Sequence, residues 1–143
     1  MDILALLKKI AFFSVFDEEE LLLLSRNYNH FVQFKGKERI IKEGEEDFSL
    51  MVLVKGKCSV TKNAKPETSL ATLTPGVILG EVSFLTKRPR TTNVVALDAC
   101  IVFKMDADGL GKLGLKIQNK IKDQLIEILV ARLEQMNLSL AEM

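Results

Sequence analysis

The chain is short of the residues that most reactions and most membranes require. It has one histidine, His30, and two cysteines in 143 residues. One histidine cannot supply the clustered imidazoles of a metal-binding barrel, and it cannot serve every role in a Ser-His-Asp or Cys-His set. No catalytic residue, no enzymatic activity and no metal are therefore expected. Cys58 and Cys100, in a chain without secretion signals, read as reduced core residues rather than a disulfide. No apolar run approaches the ~18 residues of a membrane span. The apolar opening Met1–Phe16 is interrupted by Lys8-Lys9 and lacks a small-residue cleavage site, so it reads as structural and the protein as cytoplasmic. The net charge is only +1, which leaves no general attraction to nucleic acid or anionic membrane. Repeats, low-complexity tracts and Pro/Ser-rich linkers are missing too. The whole chain, 1–143, reads as one domain able to bury roughly 68–70% of its unfolded surface.

What is present divides the chain into three parts. Residues 1–28 carry helical spacing, with Ile3, Leu6, Leu7 and Ile10 on one face of a helix running from Asp2 to Phe13. Asp17 can cap a second helix, with Glu18, Glu19 and Glu20 in its first turn. Residues 29–105 consist of short apolar runs separated by turn residues: Phe31–Phe34, Arg39–Ile41, Leu50–Val54, Cys58–Thr61, Ser69–Leu73, Val94–Leu97 and Cys100–Met105. Strands at this spacing predict an antiparallel barrel or jelly roll. Residues 106–143 return to helical spacing, broken near Gly109, Gly111 and Gly114, and then running as one long helix from about Leu115 to Leu140.

The stretch 76–96 is the centre of the chemistry. After the turn pair Pro75-Gly76 come Val77-Ile78-Leu79, Gly80, the acid Glu81, an apolar turn from Val82 to Leu85, the basic corner Lys87-Arg88-Pro89-Arg90, and Thr91-Thr92. Gly80 permits close backbone approach to a ligand. The amides of Glu81, Val82 and Ser83 are free if they open a short helix, and such amides hold anions. Arg90 offers a planar fork to phosphate oxygens, and Glu81 offers an acceptor for hydroxyls. Together they suit a phosphorylated sugar. The basic corner has no interleaved aromatic residue, which argues against RNA or DNA as its partner.

The phrase L-G-E-V-S-F-L-T-K-R-P-R-T-T resembles the phosphate-binding cassette of cyclic nucleotide-binding domains, usually F-G-E-[LV]-[AG]-L followed by R-[AST]-A. The spacing from Glu81 to Arg90, with Pro89 before the arginine, is similar to the regulatory subunits of cyclic-nucleotide-dependent kinases. Further landmarks are Glu43-Gly44-Glu45, Lys55-Gly56 and Thr74-Pro75-Gly76. The resemblance implies a mainly β fold: an eight-stranded antiparallel β-roll with short N-terminal helices and a long C-terminal helix. It also implies cyclic AMP or cyclic GMP as ligand, with Glu81 on the ribose 2′-hydroxyl, Arg90 on the cyclic phosphate, and the amides near Gly80, Val82 and Ser83 completing the cradle. Leu79 stands for the usual Phe, Ser83 for Ala or Gly, Thr92 for the final Ala, and Asp47 for a Gly after the Gly44-Glu45 pair. Thr91 carries a hydroxyl associated in the family with acceptance of guanine.

The long helix has an apolar arc of roughly 200°, wider than the ~100° stripe of a helix with one buried face. Two partners are expected for it, the chain's own roll and a second copy, giving a homodimer along Leu125, Leu129, Leu133, Met136 and Leu140. Arg132 falls inside this arc and needs a counter-charge. By resemblance to the catabolite activator type, Arg132 would pair with Glu81, and Met136 would lie near the base. A DNA-binding unit follows the long helix in that type, and none is expected within these residues. Two alternatives stay open: a non-binding dimerisation or interaction module, and a regulatory fragment of a longer channel, kinase or transcription factor. The downstream partner is not encoded in any motif.

Overall fold

The computed structural model describes residues 2–26 and 30–141; the boundary expected between residues 28 and 29 lies outside them. Helix α1 (Ile3–Lys8) is capped by the Asp2 carboxylate, which accepts from the Ala5 N–H at 3.2 Å. It is shorter than its spacing predicts. The chain turns extended at Ile10 and resumes as a single 3-10 turn, Ala11–Phe13, which buries both Phe12 and Phe13. Helix α2 (Glu18–Ser25) opens with a capping box: the Asp17 side chain accepts from the Glu20 N–H, and the Glu20 side chain accepts from the Asp17 N–H, both at 2.9 Å.

Eight strands follow: β1 (Phe31–Phe34), β2 (Arg39–Ile41), β3 (Leu50–Lys55), β4 (Cys58–Thr61), β5 (Ala71–Leu73), β6 (Ile78–Leu79), β7 (Asn93–Ala96) and β8 (Cys100–Met105). They form two antiparallel four-stranded sheets, ordered β1-β8-β3-β6 and β2-β7-β4-β5. The eight-stranded roll expected from the sequence is present. The run expected from Ser69 is paired only from Ala71, and the one expected over Val94–Leu97 pairs one residue earlier.

Alternation along β3 and β8 explains the layering. Leu50, Val52 and Val54, with Ile101, Phe103 and Met105, meet the helices. Met51 and Leu53, with Cys100 and Val102, point the other way and meet Cys58, Val94 and Ala96 of the second sheet. The first sheet is thus covered on both faces, which is why β3 reads as an unbroken apolar run. Phe103 lies at the centre of the helical side, with Phe13 and Phe31 at ring-centroid distances of 5.6 and 5.1 Å. Cys58 and Cys100 are free and buried. Burial pushes the Cys58 thiol up to about 11, with Cys100 and Asp98 adding to it, which removes thiolate reactivity at neutral pH.

Helix α3 (Glu81–Thr86) joins β6 to β7, and helix α4 (Ala107–Gly111) leads through a break at Gly114, with φ +85°, into helix α5 (Leu115–Ala141). The first half of α5 packs Ile117, Ile121 and Leu125 against Leu7, Phe13 and Leu24. Lys120 pairs with Glu20, and the Gln124 Nε2 donates to the Phe12 carbonyl at 3.3 Å. The wide apolar arc is only partly used inside the chain. Leu129 is half-buried, and every described residue from Val130 onward is exposed, including Leu133, Met136 and Leu140.

Candidate functional site

A cavity of about 290 Å³ opens between the second sheet, α3 and the middle of α5. That is near the lower end of small-ligand pockets. Leu79, Gly80, Glu81, Val82, Ser83, Arg90, Thr91, Thr92 and Arg132 all line it. These are nine of the ten residues expected from the sequence, eight brought together by the β6–α3–β7 connection and Arg132 by α5. Met136 is the exception. It is not among the lining residues and is 61% exposed, because α5 has left the roll by that point. An apolar wall completes the cavity: Ile41, Val60, Leu73, Val77, Ile78 and Val94.

Arg90 is the most constrained side chain in the site, only 4% exposed. Its backbone is stapled to the Glu43-Gly44-Glu45 turn: the Arg90 N–H donates to the Glu45 carbonyl at 2.9 Å, and the Gly44 N–H donates to the Arg90 carbonyl at 2.8 Å. The guanidinium Nη1 donates to the Gly80 carbonyl at 3.1 Å, and Nη2 donates to the Ser49 carbonyl at 2.8 Å. The Asp47 carboxylate lies 3.6 Å from Nη2. Nε is buried and has no partner among the described residues. Burial lowers the Arg90 pKa against the opposing pull of Asp47, Glu45 and Glu81, yet a guanidinium stays charged in proteins.

Asp47 was not anticipated as part of this arrangement; its position reads from sequence only as a turn. It accepts from both the Ser49 N–H and Oγ, at 3.0 and 2.6 Å, and pairs with Lys104 of β8 at 3.0 Å. Burial alone would raise its pKa, but the hydrogen bonds from Ser49 and Lys104 and the Lys104 charge outweigh burial and hold it at about 2. Gly80 also has a more specific role than expected. It sits at φ +74°, and a Cβ there would lie 2.1 Å from the Arg90 Nη1, so the close approach it permits is that of the arginine itself.

Across the cavity, Glu81 forms an ion pair with Arg132 of α5. Arg132 is itself exposed, so burial does not force this pair; the sequence expected it inside the apolar arc. The hydrogen-bond ladder of α3 starts with the Phe84 N–H donating to the Gly80 carbonyl at 3.0 Å, so the amides of Glu81, Val82 and Ser83 precede it. Among the described residues no group of three or more His, Cys, Asp or Glu side chains is placed to hold a metal ion.

Residues 31–115 match the family profile described as Cyclic nucleotide-binding domain. The chain belongs to the cyclic nucleotide-binding domain family. It resembles regulatory proteins. It is 32% identical over 107 residues to a cAMP-dependent protein kinase regulatory subunit of Debaryomyces hansenii, covering 75% of this chain and 23% of that protein. It is 27% identical over 114 residues to a CRP-like cAMP-activated global transcriptional regulator of Mycobacterium tuberculosis, covering 78% of this chain and 50% of that protein. The chain therefore spans from 23% to 50% of these relatives' lengths. Among solved structures it is similar to a cyclic nucleotide-binding domain from Methylobacillus flagellatus, with TM-score 0.74 and 25% identity over 93% of this chain and 77% of that one.

Within this cyclic nucleotide-binding domain, the depressed Asp47 pKa carries a stability signature. The folded value of about 2 lies below the ordinary 3.8, so its contribution is full above about pH 4 and is lost as pH falls toward 2. Asp47→Asn is expected to remove about 1–2 kcal/mol at neutral pH, after discounting for the solvent that reaches the carboxylate. It should also flatten the fall in stability between pH 4 and pH 2. Urea midpoints across that window measure both.

Proposed function

We propose that this domain is a sensor for a cyclic purine nucleotide, cyclic AMP or cyclic GMP. The observation that carries this reading is a charged arginine, buried and held from three sides, lining the same cavity as an acidic residue at the start of α3. In this pose the cyclic phosphate meets Arg90 and the amides at Gly80, Val82 and Ser83. The ribose 2′-hydroxyl meets Glu81, and the base lies along the apolar wall that includes Val60 and Leu73. Thr91 is exposed at the rim, and in this reading its hydroxyl, of the kind associated in the family with acceptance of guanine, would be available to the base. No bond is made or broken in this scheme. The family is a regulatory one, and the output is a surface shown to a partner protein, in the cytoplasm.

Signalling in this proposal runs through α5. The Glu81 carboxylate that would accept from the ribose already holds Arg132. Ligand and helix therefore share one acid, and a ligand that changes how Glu81 is shared biases the position of α5. Only such a difference in affinity between two helix positions can move the equilibrium. Leu129 and the exposed Leu133, Met136 and Leu140 lie in series at helical spacing on either side of Arg132. A second copy of the chain is the proposed occupant of that seam.

Arg90→Ala is expected to weaken binding of either nucleotide at least tenfold with the fold intact, since a hydrogen bond to a charged group contributes about 1.5–3 kcal/mol. Arg90→Lys should restore only part of it, because an ammonium lacks the planar fork. Calorimetric titration with both nucleotides checks this. Unchanged affinity in the alanine variant would leave the domain as an interaction module that does not bind nucleotide.

Glu81→Gln, Arg132→Gln and the double variant form a cycle for the second step. A coupling of ~1 kcal/mol or more in nucleotide affinity is expected, whereas additive losses would mean that the helix is latched elsewhere. Changing Leu129 and Leu133 to Glu is expected to give monomers by light scattering with unchanged circular dichroism. A parent that is itself monomeric at micromolar concentration would remove the dimer from the scheme.

A further inference from the structure

The net charge of +1 conceals an uneven distribution. Three turns meet at one end of the roll: Lys35-Gly36-Lys37 after β1, Lys55-Gly56-Lys57 where β3 passes into β4, and Leu97-Asp98-Ala99 between β7 and β8. Hydrogen bonds interlock them. The Lys37 N–H donates to the Ala96 carbonyl at 2.7 Å, the Leu97 N–H to the Lys57 carbonyl at 2.8 Å, and the Lys57 N–H to the Asp98 carboxylate at 2.8 Å. Lys35, Lys37, Lys55 and Lys57 are all exposed. None of them forms an ion pair among the described residues. The acids at this end are engaged by the backbone instead, Asp98 as above and Glu38 by the Lys35 N–H at 3.0 Å. Leu97, bonded to one lysine turn and packed beside Gly36 of the other, is 54% exposed. A groove of about 340 Å³ opens alongside, lined by Lys35 and Lys55 and by the apolar Phe34, Ala99 and Ile101.

Lys37 adds an observation of a different kind. It sits at φ +75°, in the left-handed region where glycine or asparagine would be relaxed. A lysine there strains the backbone and returns only an exposed positive charge. Every cation of these turns is a lysine. An ammonium on a flexible stem suits a diffuse anionic surface, whereas fixed carboxylates are matched by the arginine fork. A leucine exposed among lysines suits an interface: the charges are drawn to acidic headgroups and the apolar side chain enters the layer beneath. Single-stranded nucleic acid calls for exposed aromatic platforms, and Phe34, at this end, is half-buried. We propose that this end of the roll docks on an anionic phospholipid membrane, with the four lysines among the headgroups and Leu97 inserted between them. Strands β2 and β4 run from these turns to Ile41 and Val60, which line the cavity beside Arg90. The docked domain therefore keeps that cavity at its far end, and the proposal does not rest on what the cavity binds.

Co-sedimentation of the full chain with vesicles is the test, using equal parts of phosphatidylserine and phosphatidylcholine against phosphatidylcholine alone. The parent is expected to sediment with the first and to stay in solution with the second, and raised salt should release it. Lys35→Glu combined with Lys55→Glu should weaken the association about tenfold or more. Lys37→Gly should weaken it about fivefold. That variant also relaxes a left-handed residue, so its loss of binding cannot be put down to a damaged fold. Leu97→Ser should remove the binding that survives at moderate salt. A parent that binds both vesicle types alike, or neither, overturns the proposal, as do lysine variants that bind with the parent's affinity. So does retention of poly-glutamate or single-stranded RNA, with the same dependence on the lysines, by a parent that leaves the acidic vesicles unbound.

Discussion

A cation has to be kept in the interior of this domain, and much of the architecture around the cavity exists to keep it there. Arg90 would be costly to bury alone. Its neutralisation comes from Asp47, whose carboxylate is itself steadied by Ser49 and by Lys104 on the neighbouring strand β8. Its geometry comes from the carbonyls of Gly80 and Ser49. Gly80 and the Asp47–Ser49 segment converge on the guanidinium, while the turn at Glu43-Gly44-Glu45 holds the Arg90 backbone and the end of β8 holds Asp47. Its orientation is established by the fold before any ligand arrives, so little ordering cost remains for a ligand to meet.

The two sheets divide the work. The first, buried on both faces, contributes rigidity through Phe103 and its neighbours. The second has one face in the core and offers Ile41, Val60 and Val94 to the cavity. These residues share a face with Cys58 and Ala96, so the cavity continues the space between the two sheets, while the helices gather on the other face of the first sheet.

How much of this was legible in the sequence varied with how local the physics was. Gly80, Glu81 and Arg90 stood out because each residue type announces its chemistry within one short connection. The strand runs were legible from period-two alternation, and Asp17 from its capping box. Asp47 was not, because its meaning depends on Arg90 and Lys104, and only sheet register brings those together. The apolar wall was hidden for the same reason: alternation tells that Val60 and Val94 share a face, and the pairing of β4 with β7 decides what that face looks onto. Periodicity identified α5 and placed Arg132 inside its apolar arc; the pairing with Glu81 and the place of Met136 near the base came from the family resemblance. Periodicity says in which direction side chains project, not how far along the helix the roll continues to meet them, and Met136 stands clear of the cavity. At α1, apolar spacing ran on to Phe13 while the helix stopped at Lys8, because burying adjacent phenylalanines favours a tighter turn.

The division of α5 has a mechanical consequence. Its first part is bolted to the N-terminal helices at Lys120 and Gln124, and buried packing ends near Leu125. At 1.5 Å per residue, the portion from Leu125 to Ala141 extends about 24 Å, and Arg132 lies about 10 Å along it. A rigid rod pivoting near Leu125 would turn each ångström of movement at the Arg132–Glu81 contact into roughly twice that at its tip. In the signalling proposed above, α5 would act as a lever with its short arm at the cavity, so that a shift the size of one side-chain contact near Arg132 would reach Ala141 roughly doubled.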